Sequence, residues 1–301
     1  MDILGVDMAL LGVDDLEAAQ RFCRDFGLRE TEASAGGSTF TTQDGTGIIL
    51  RRASDTSLPL TRLSGSTCRE TIWGVRGPET IEQIGAELSR DRQVRRDSAG
   101  TLHTTDDDDF PIAFQVTCRH SFSAEPARIN VAGCPPQRGV NQRIDFRAPV
   151  LPRSIGHIVF FTPDPARSAK FYIDRLGFRL SDTFENNKGT FARAKGSADH
   201  HNLFFIGTDK VPPSMHHIEF HVTDFNEVMI GGKRLTERGW QTANGPGRHV
   251  LGSNYYWYFK TPCGGAFELG ADIDVIDDNW VPGDWAYIPE NTAGWQVAYK
   301  G

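Results

Sequence analysis

The chain has 301 residues, of which 39% are hydrophobic and 24% are charged, as is ordinary for a globular protein with one large or two modest domains. Its formal net charge of −7 argues against nucleic acid or an anionic membrane as a partner, because both favour a basic surface. The sequence shows no apolar run near the roughly 20 residues of a membrane span. The N-terminus carries acids rather than a basic leader, and the five cysteines form no CxxC pair. We therefore expect a cytoplasmic protein.

Hydrophobic periodicity predicts the elements of the first half in chain order. A strand at residues 5–11 precedes a helix at 15–26 that ends at Gly27, and several short strands continue to about residue 52. A strand at 70–75 precedes a helix at 78–90, which opens with a proline, and an apolar stretch follows at 110–116. We interpret the acidic run at 106–109 as a solvated turn. A calcium loop is the alternative, although its expected Gly and Glu are missing.

The second half of the chain repeats the same order of elements. After a proline-rich stretch at 134–153 with linker composition, residues 155–164 echo 5–14, and residues 166–177 echo the first helix. The strand at 215–222 and the helix at 225–239 echo 70–75 and the helix behind it. This is an internal duplication in which each half reads βαβββ twice. We predict an α+β fold with two tandem domains, at 1–135 and 154–301, joined by a linker at 136–153.

One stretch of the second half sets polar groups on an aromatic sheet. Residues 247–268 read GRHVLGSNYYWYFKTPCGGAFE and predict a strand, a tight turn and another strand. Because successive strand residues face opposite sides, Phe267 and Leu269 share a core face while Glu268 points the other way. Only Ala266 and Gly270 flank it there, so this carboxylate requires a cation or an opening to solvent.

This stretch resembles the signature of the type I extradiol ring-cleavage dioxygenases, which belong to the vicinal oxygen chelate superfamily. That signature runs Gly-x-His, a spacer, an aliphatic residue before Tyr, a Pro-Gly turn and a closing Glu. Here Gly247 and His249 begin it, Tyr258 and Pro262 continue it, and Glu268 closes it. One position departs, because Trp occupies position 257, where an aliphatic residue or Phe is usual. The resemblance implies two modules per half that close a cup-shaped sheet around a metal in the C-terminal domain.

Two upstream histidines complete the ligand set that the resemblance implies. In the strand at 215–222, alternation places His217 with Glu219 on the inner face, rather than His216. His157 lies on the first strand of the second half, where a lone histidine is more often a hydrogen-bonded core residue. The family's pattern makes His157, His217 and Glu268 the metal ligands. Two imidazoles and one carboxylate form the facial triad of non-heme Fe(II) oxygenases, and manganese fits the same set.

The resemblance also implies three residues that act beside the metal. One is a histidine just ahead of the apolar strand at 203–206. In the family this histidine acts as acid–base group for the substrate proton and stabilises bound oxygen. His201 fits that position best, and His200 is the alternative. His249 and Tyr258 would hydrogen-bond the substrate oxygens. Without the resemblance, the histidine pair reads as solvent-exposed, His249 as a surface residue and Tyr258 as part of an aromatic core.

The first half carries different residues at the corresponding positions. The counterparts of His217, Glu268 and His157 in the aligned repeats are, in that order, Glu70, Gln115 and either Asp7 or Met8. Because this set contains no histidine and glutamine is a poor neutral ligand, we expect the first half to bind no metal.

The implied function is Fe(II)-dependent extradiol cleavage of a catecholic ring by O2, giving a hydroxymuconic semialdehyde-type product. We expect a homo-oligomer whose partners are a catechol and O2, with neither nucleic acid nor membrane. A glyoxalase-type metal isomerase and a 2-oxo-acid dioxygenase are alternatives, but their patterns do not require Gly-x-His with a tyrosine nine residues later. A non-catalytic small-molecule-binding module is the other alternative, and it needs no metal triad. We interpret the tryptophan-rich tail at 278–297 as an arm over the protein's own surface; a lid or subunit contact is the alternative.

Overall fold

The computed structural model describes residues 1–61 and 63–298, which form two mixed sheets and five helices. The elements of the first half are β1 (Ile3–Val13), α1 (Leu16–Phe26), β2 (Arg29–Ser34), β3 (Gly37–Thr41), β4 (Gly47–Arg52), β5 (Thr67–Val75), α2 (Pro78–Leu88), β6 (Arg95–Arg96), β7 (Leu102–Thr105) and β8 (Pro111–Val116). The elements of the second half are β9 (Ser154–Thr162), α3 (Pro165–Leu176), β10 (Arg179–Phe184), β11 (Gly189–Arg193), β12 (Leu203–Gly207), β13 (Ser214–His221), α4 (Phe225–Glu237), β14 (Thr242–His249), β15 (Tyr255–Lys260), β16 (Ala266–Ala271), β17 (Asp284–Trp285), α5 (Pro289–Thr292) and β18 (Ala293–Gln296).

The two sheets share one strand order. The first runs β2-β3-β4-β1-β5-β8-β7-β6, and the second runs β10-β11-β12-β9-β13-β16-β15-β14, with β17 and β18 added at its two ends. In each sheet the two modules meet at an antiparallel pair, β1 with β5 and β9 with β13. The predicted duplication and its paired βαβββ modules are therefore confirmed.

Local signals explain where the first helix of each half begins and ends. Asp15 and Asp164 cap the N-termini of α1 and α3 by accepting hydrogen bonds from backbone N–H groups of the first turn. Gly27 and Gly177 follow the two helices with φ angles of 98° and 80°, which glycine adopts without steric cost. Within the described residues, no helix is long and apolar enough to cross a membrane.

Helices α1 and α3 connect the two halves through aromatic contacts. Phe22 of α1 meets Phe267 of β16 with ring centroids 5.4 Å apart, and Tyr172 of α3 meets Trp73 of β5 at 6.0 Å. Each such side chain buries about 150–250 Å², so the halves share one hydrophobic core. Because Glu268 follows Phe267 on β16, this packing also fixes the face on which Glu268 projects.

The acidic run at 106–109 lies at the contact between the halves. Asp106 is buried and accepts a 2.9 Å hydrogen bond from the Tyr172 hydroxyl of α3. The Asp108 carboxylate is 3% exposed and accepts hydrogen bonds from Arg167 and Ser168 of α3. The prediction of a solvated turn is therefore wrong for these two aspartates, because a distant helix covers them.

The segment after β16, residues 272–298, is called the C-terminal strap below. Its β17 pairs with β10 at one edge of the second sheet, and its β18 pairs with β14 at the other. The strap therefore crosses from edge to edge of that sheet over the protein's own surface, as predicted.

Candidate metal centre

Three neighbouring strands bring the predicted ligands to one face of the second sheet. Strand β13 lies between β9, which carries His157, and β16, which carries Glu268. In the register, Glu219 of β13 lies beside both His157 and Glu268. His217, two residues before Glu219, projects from the same face. The structure thus brings together the three residues that the sequence proposed as ligands.

The side chains of this triad converge at their tips. His157 Nε2 lies 3.0 Å from His217 Nε2, and these atoms lie 3.3 and 3.1 Å from Glu268 Oε2. Ligand atoms about 2.1 Å from a metal would be about 3.0 Å apart at right angles and about 3.4 Å apart at a tetrahedral angle. The observed spacings therefore fit one small divalent cation. Among the described residues, this is the one group of His, Cys, Asp and Glu with that convergence.

The protonation states of His217 and Glu268 also fit a metal. Burial lowers the pKa of His217 to about 3, so its imidazole is neutral near pH 7. Burial opposes ionisation of Glu268, but the adjacent His157 and His217 outweigh it and hold its pKa well below the usual range. Buried Glu268 Oε2 makes no hydrogen bond of good geometry among the described residues, although both histidine nitrogens lie within 3.3 Å of it, as expected of atoms that share a metal. A deprotonated carboxylate beside the neutral imidazole of His217 is the state that a metal requires.

A second buried carboxylate lies behind His157. Glu219 Oε2 is 3.8 Å from His157 Nδ1, and Glu219 Oε1 is 2.9 Å from His221 Nδ1. Glycines make room for it, because a Cβ at Gly156 or Gly270 would lie 1.9 or 2.0 Å from one of its oxygens. Glu219 therefore lies on the side of His157 turned away from the candidate metal, but beyond hydrogen-bond distance of its Nδ1. The alternation noted in the sequence placed Glu219 on this face but did not identify its partner.

The two histidines before β12 face different surroundings. The ring of His201 lies over that of His157, with centroids 4.3 Å apart, and it lines the cavity beside the triad. His200 points away, with Nε2 2.8 Å from Asp182 Oδ2. Burial and the nearby His157 hold the pKa of His201 well below its usual value, so the imidazole is neutral. Of the two residues left open by the sequence, His201 is the one that reaches the cavity.

His249 and Tyr258 form a hydrogen-bonded pair in the same cavity. His249 Nδ1 lies 2.9 Å from the Thr292 carbonyl of the strap, so Nδ1 carries the proton. Nε2 of the neutral ring therefore accepts the hydrogen bond from the Tyr258 hydroxyl, also at 2.9 Å. Burial and the charge of Glu268 raise the pKa of Tyr258 well above its usual value, which keeps the hydroxyl protonated.

His216 also lines the cavity, contrary to its assignment to the opposite face. The pairing of β13 with β9 shifts between Met215 and His217, and this irregularity breaks the alternation at His216. Its Nδ1 lies beside Nδ1 of His217. Burial lowers the pKa of His216 to about 4. Strict alternation misplaced this residue because a bulge is not visible in the sequence.

The cavity has a volume of about 370 Å³ and mostly apolar walls away from the triad. Its apolar walls are formed by Phe184, Phe191, Phe204, Ile206, Leu251 and the strap residue Tyr287. No Lys, Arg, Asp or Glu lines it within residues 1–61 and 63–298. Within the described residues, the lining therefore offers no charged side chain to pair with an ionic group of a ligand.

The corresponding place in the first half is closed by apolar side chains. The row of paired residues that corresponds to His157, Glu219 and Glu268 is Met8, Ile72 and Ala113, which contact one another. The predicted counterpart Gln115 is therefore wrong, since that residue pairs with Gly74 two positions further along. Glu70, at the position of His217, lies 2.8 Å from His103.

Comparison with known proteins gives a consistent family. Residues 154–269 match the sequence model of the Glyoxalase/Bleomycin resistance protein/Dioxygenase superfamily. The chain is 32% identical to metapyrocatechase 2 of Cupriavidus necator over 285 residues, which cover 93% of this chain and 85% of that protein. Shorter matches, each covering less than half of both chains, include an iron-dependent extradiol dioxygenase of Rhodococcus jostii (29% identical) and a manganese-dependent 2,3-dihydroxybiphenyl 1,2-dioxygenase of Geobacillus genomosp. 3 (25%).

Solved structures show the same fold. Homoprotocatechuate 2,3-dioxygenase from Arthrobacter globiformis aligns with a TM-score of 0.77 over 98% of this chain and 88% of that chain, at 18% identity. The Mn(II)-bound glyoxalase from Novosphingobium aromaticivorans aligns with a TM-score of 0.78 over 98% and 91%, at 21% identity. The similarity to metapyrocatechase 2 over 93% of the chain, together with the superfamily match, places the chain in the extradiol dioxygenase family of the vicinal oxygen chelate superfamily.

Proposed function

We propose that this extradiol dioxygenase opens a catecholic ring beside its hydroxyl pair, at a metal ion held by His157, His217 and Glu268. The observation that carries the proposal is the convergence of their three buried ligand atoms at 3.0–3.3 Å. We choose iron(II), because two histidines and one carboxylate on one face are typical of iron(II) oxygenases. Manganese(II) fits the same ligands, and relatives named for each metal support both assignments.

Bound iron(II) would supply open coordination positions for the catechol oxygens and for O2. The residues around the metal site are assigned to proton transfer and to hydrogen bonding. We assign His201 as the acid–base group, since its neutral ring lines the cavity beside His157 and is placed to accept a proton from a catechol hydroxyl. Tyr258 is assigned to hydrogen-bond a substrate oxygen: because its one proton goes to His249, its hydroxyl oxygen would accept from a catechol hydroxyl. His249, whose tautomer is set by the strap, holds the Tyr258 hydroxyl in place.

The walls of the cavity support a catechol with an uncharged, apolar substituent. Phe191 and Phe204 stack in parallel with centroids 3.7 Å apart, and Tyr287 of the strap contacts Phe184 beside them. A carboxylate on the ring would lie here without a cationic partner, and burying an unpaired charge costs several kcal/mol. Catechols with methyl, larger alkyl or aryl groups are therefore the proposed substrates.

Three further assignments belong to the proposal. The chain divides into domains at 1–135 and 154–301 with a linker at 136–153, which is supported by the lack of helix and strand at 117–153. A reducing cytoplasm is supported by the five free cysteines, of which Cys118 and Cys134 are exposed. A homo-oligomer is supported by large apolar side chains exposed on the linker and strap, including Phe146 and Val281.

The function is tested by oxygen uptake. The metal-free chain is reconstituted with Fe(II) under anaerobic conditions and then mixed with air-saturated catechol, 3-methylcatechol or 2,3-dihydroxybiphenyl. We expect one O2 to be consumed per catechol without an external reductant, together with a yellow ring-opened product. A colourless product cleaved between the hydroxyls would overturn the regiochemistry. Absence of turnover by iron-replete protein would favour the binding module or the isomerase.

A further inference from the structure

His200 connects a carboxylate to the candidate acid–base group. It is fully buried, and its two ring nitrogens have different partners. Nε2 lies 2.8 Å from Asp182 Oδ2, and Nδ1 lies 3.0 Å from Nδ1 of His201. An unbroken series of hydrogen-bonding groups therefore runs from Asp182 on β10 through His200 to His201 at the cavity.

The C-terminal strap fixes which oxygen of Asp182 faces His200. The backbone N–H of Gly283 donates to Asp182 Oδ1 at 2.6 Å, and the indole N–H of Trp285 donates to the same oxygen at 3.2 Å. These groups can only donate, so the Oδ1 position must be an acceptor. The other oxygen, Oδ2, is then left to accept a proton from His200.

The protons in this series follow from counting donors and acceptors. A carboxylate at Asp182 requires an N–H at Nε2 of His200, and a ring that carries this single proton offers a lone pair at Nδ1. The facing Nδ1 of His201 must then carry a proton. We propose that Asp182 and His200 are positioning residues that fix His201 as the tautomer protonated on Nδ1, which leaves Nε2 unprotonated for the cavity.

This arrangement gives His201 a defined direction of proton transfer. When a catechol hydroxyl loses its proton, the proton joins Nε2 and the oxygen keeps the bonding electron pair. His201 then carries protons on both nitrogens, and its Nδ1–H continues to donate to His200. This last step rests on the proposed function, whereas the tautomer of His201 does not.

Nuclear magnetic resonance of histidine side chains measures the tautomer directly. The full chain, labelled with ¹⁵N-histidine, is studied metal-free and loaded with zinc, which is diamagnetic and suits N and O ligands. His201→Gln identifies the His201 signals by their loss. We expect Nδ1 of His201 to be protonated and Nε2 to be unprotonated near pH 7. A proton on Nε2 would overturn the proposal, and this measurement requires no other variant to fold.

Asp182→Asn tests the relay, by which we mean the hydrogen-bonded series Asp182–His200–His201. Hydrogen bonds from the strap fix the orientation of the new amide. Gly283 and Trp285 still require an acceptor at the Oδ1 position, so the amide nitrogen must face His200. It then donates to His200 Nε2, which moves the proton of His200 to Nδ1 and, in turn, the proton of His201 to Nε2. Replacing the carboxylate of a carboxylate–imidazole pair by an amide reverses a tautomer in this way. We therefore expect the reversed pattern in the spectrum.

The kinetic readout separates a relay from a structural role. We expect kcat of Asp182→Asn to fall about 100-fold or more, while the anaerobic Kd of catechol changes less than about threefold. Asp284→Asn is the matched control, since Asp284 accepts from Thr183 in the same β10–β17 contact but does not reach His200. An unchanged tautomer or an unchanged kcat in Asp182→Asn would contradict the relay. If wild-type protein cleaves no catechol, the proposed function fails while the spectrum still decides the tautomer.

Discussion

The Tyr258 hydroxyl donates to Nε2 of His249 at 2.9 Å, and the strap determines the direction of this hydrogen bond. Because the Thr292 carbonyl takes the Nδ1 proton of His249, Nε2 can only accept in the neutral ring. Burial lowers the pKa of His249, which favours that neutral ring. A segment more than 40 residues downstream of His249 thus fixes the tautomer of this cavity residue.

The hydrogen bond between Tyr258 and His249 predicts that removing the hydroxyl of Tyr258 lowers kcat, whereas removing that of nearby Tyr256 does not. Tyr258→Phe removes a hydroxyl at the cavity, so kcat should fall about 10- to 100-fold with the metal retained. Tyr256→Phe is the matched control, because the Tyr256 hydroxyl bonds Gln296 of the strap instead. Turnover kinetics and metal analysis of both purified variants provide the measurement. Equal losses in the two variants would contradict the assigned role of Tyr258.

The uncharged cavity predicts a preference between matched substrates. The two substrates 3-methylcatechol and 2,3-dihydroxybenzoate place a methyl group or a carboxylate at the same ring position. Without a cationic partner, we expect kcat/KM for the carboxylate to be at least about 100-fold lower, which corresponds to about 3 kcal/mol. The same comparison with 4-methylcatechol and 3,4-dihydroxybenzoate covers the other ring position. Comparable kcat/KM values within each pair would show that a cation reaches the substrate.

Asp106 predicts a pH dependence of stability away from the metal centre. Burial and the neighbouring Asp108 raise its folded-state pKa to about 7. The protonated Asp106 carboxyl therefore contributes fully to the free energy of unfolding below its ordinary pKa of 3.8. This contribution is lost as pH rises toward 7. Asp106→Asn mimics the protonated form and should stabilise the fold at pH 8 by on the order of 2–4 kcal/mol.

Denaturant unfolding at several pH values measures this difference. The advantage of Asp106→Asn over wild type should shrink toward zero near pH 4, where the wild-type carboxyl is protonated as well. Asp107→Asn is the control, since the exposed Asp107 pairs with Arg92. An advantage of Asp106→Asn that is independent of pH would show that the carboxyl does not titrate as described.

Much of the site could be predicted from the sequence because it depends on period-two alternation. Alternation placed His217 and Glu268 on one inner face, and the three strands that carry the triad are adjacent in the structure. His201 and His249 required the family resemblance, since both precede or end strands, where alternation gives no direction. The prediction for His216 failed at the irregularity in β13.

What the sequence could not show are contacts between distant segments. Asp182 and His200 are 18 residues apart, and the strap residues that orient Asp182 lie about 100 residues beyond it. The buried state of Asp106 and Asp108 likewise depends on α3 from the other half. In the first half, the register rather than the aligned sequence identified Ala113 as the counterpart of Glu268. Such pairings follow from tertiary structure, which local patterns do not encode.

The most direct test of the central claim is a titration of the metal-free chain with Fe(II), in which bound metal and O2 uptake with catechol are measured together. We expect both to saturate at one equivalent per chain, in line with the single convergent triad in the described residues. Glu268→Gln should abolish both, whereas Glu70→Gln, at the position of His217 in the first half, should behave like wild type. Full metal binding and O2 uptake by Glu268→Gln, or their loss in Glu70→Gln, would contradict the assignment of the metal centre to His157, His217 and Glu268.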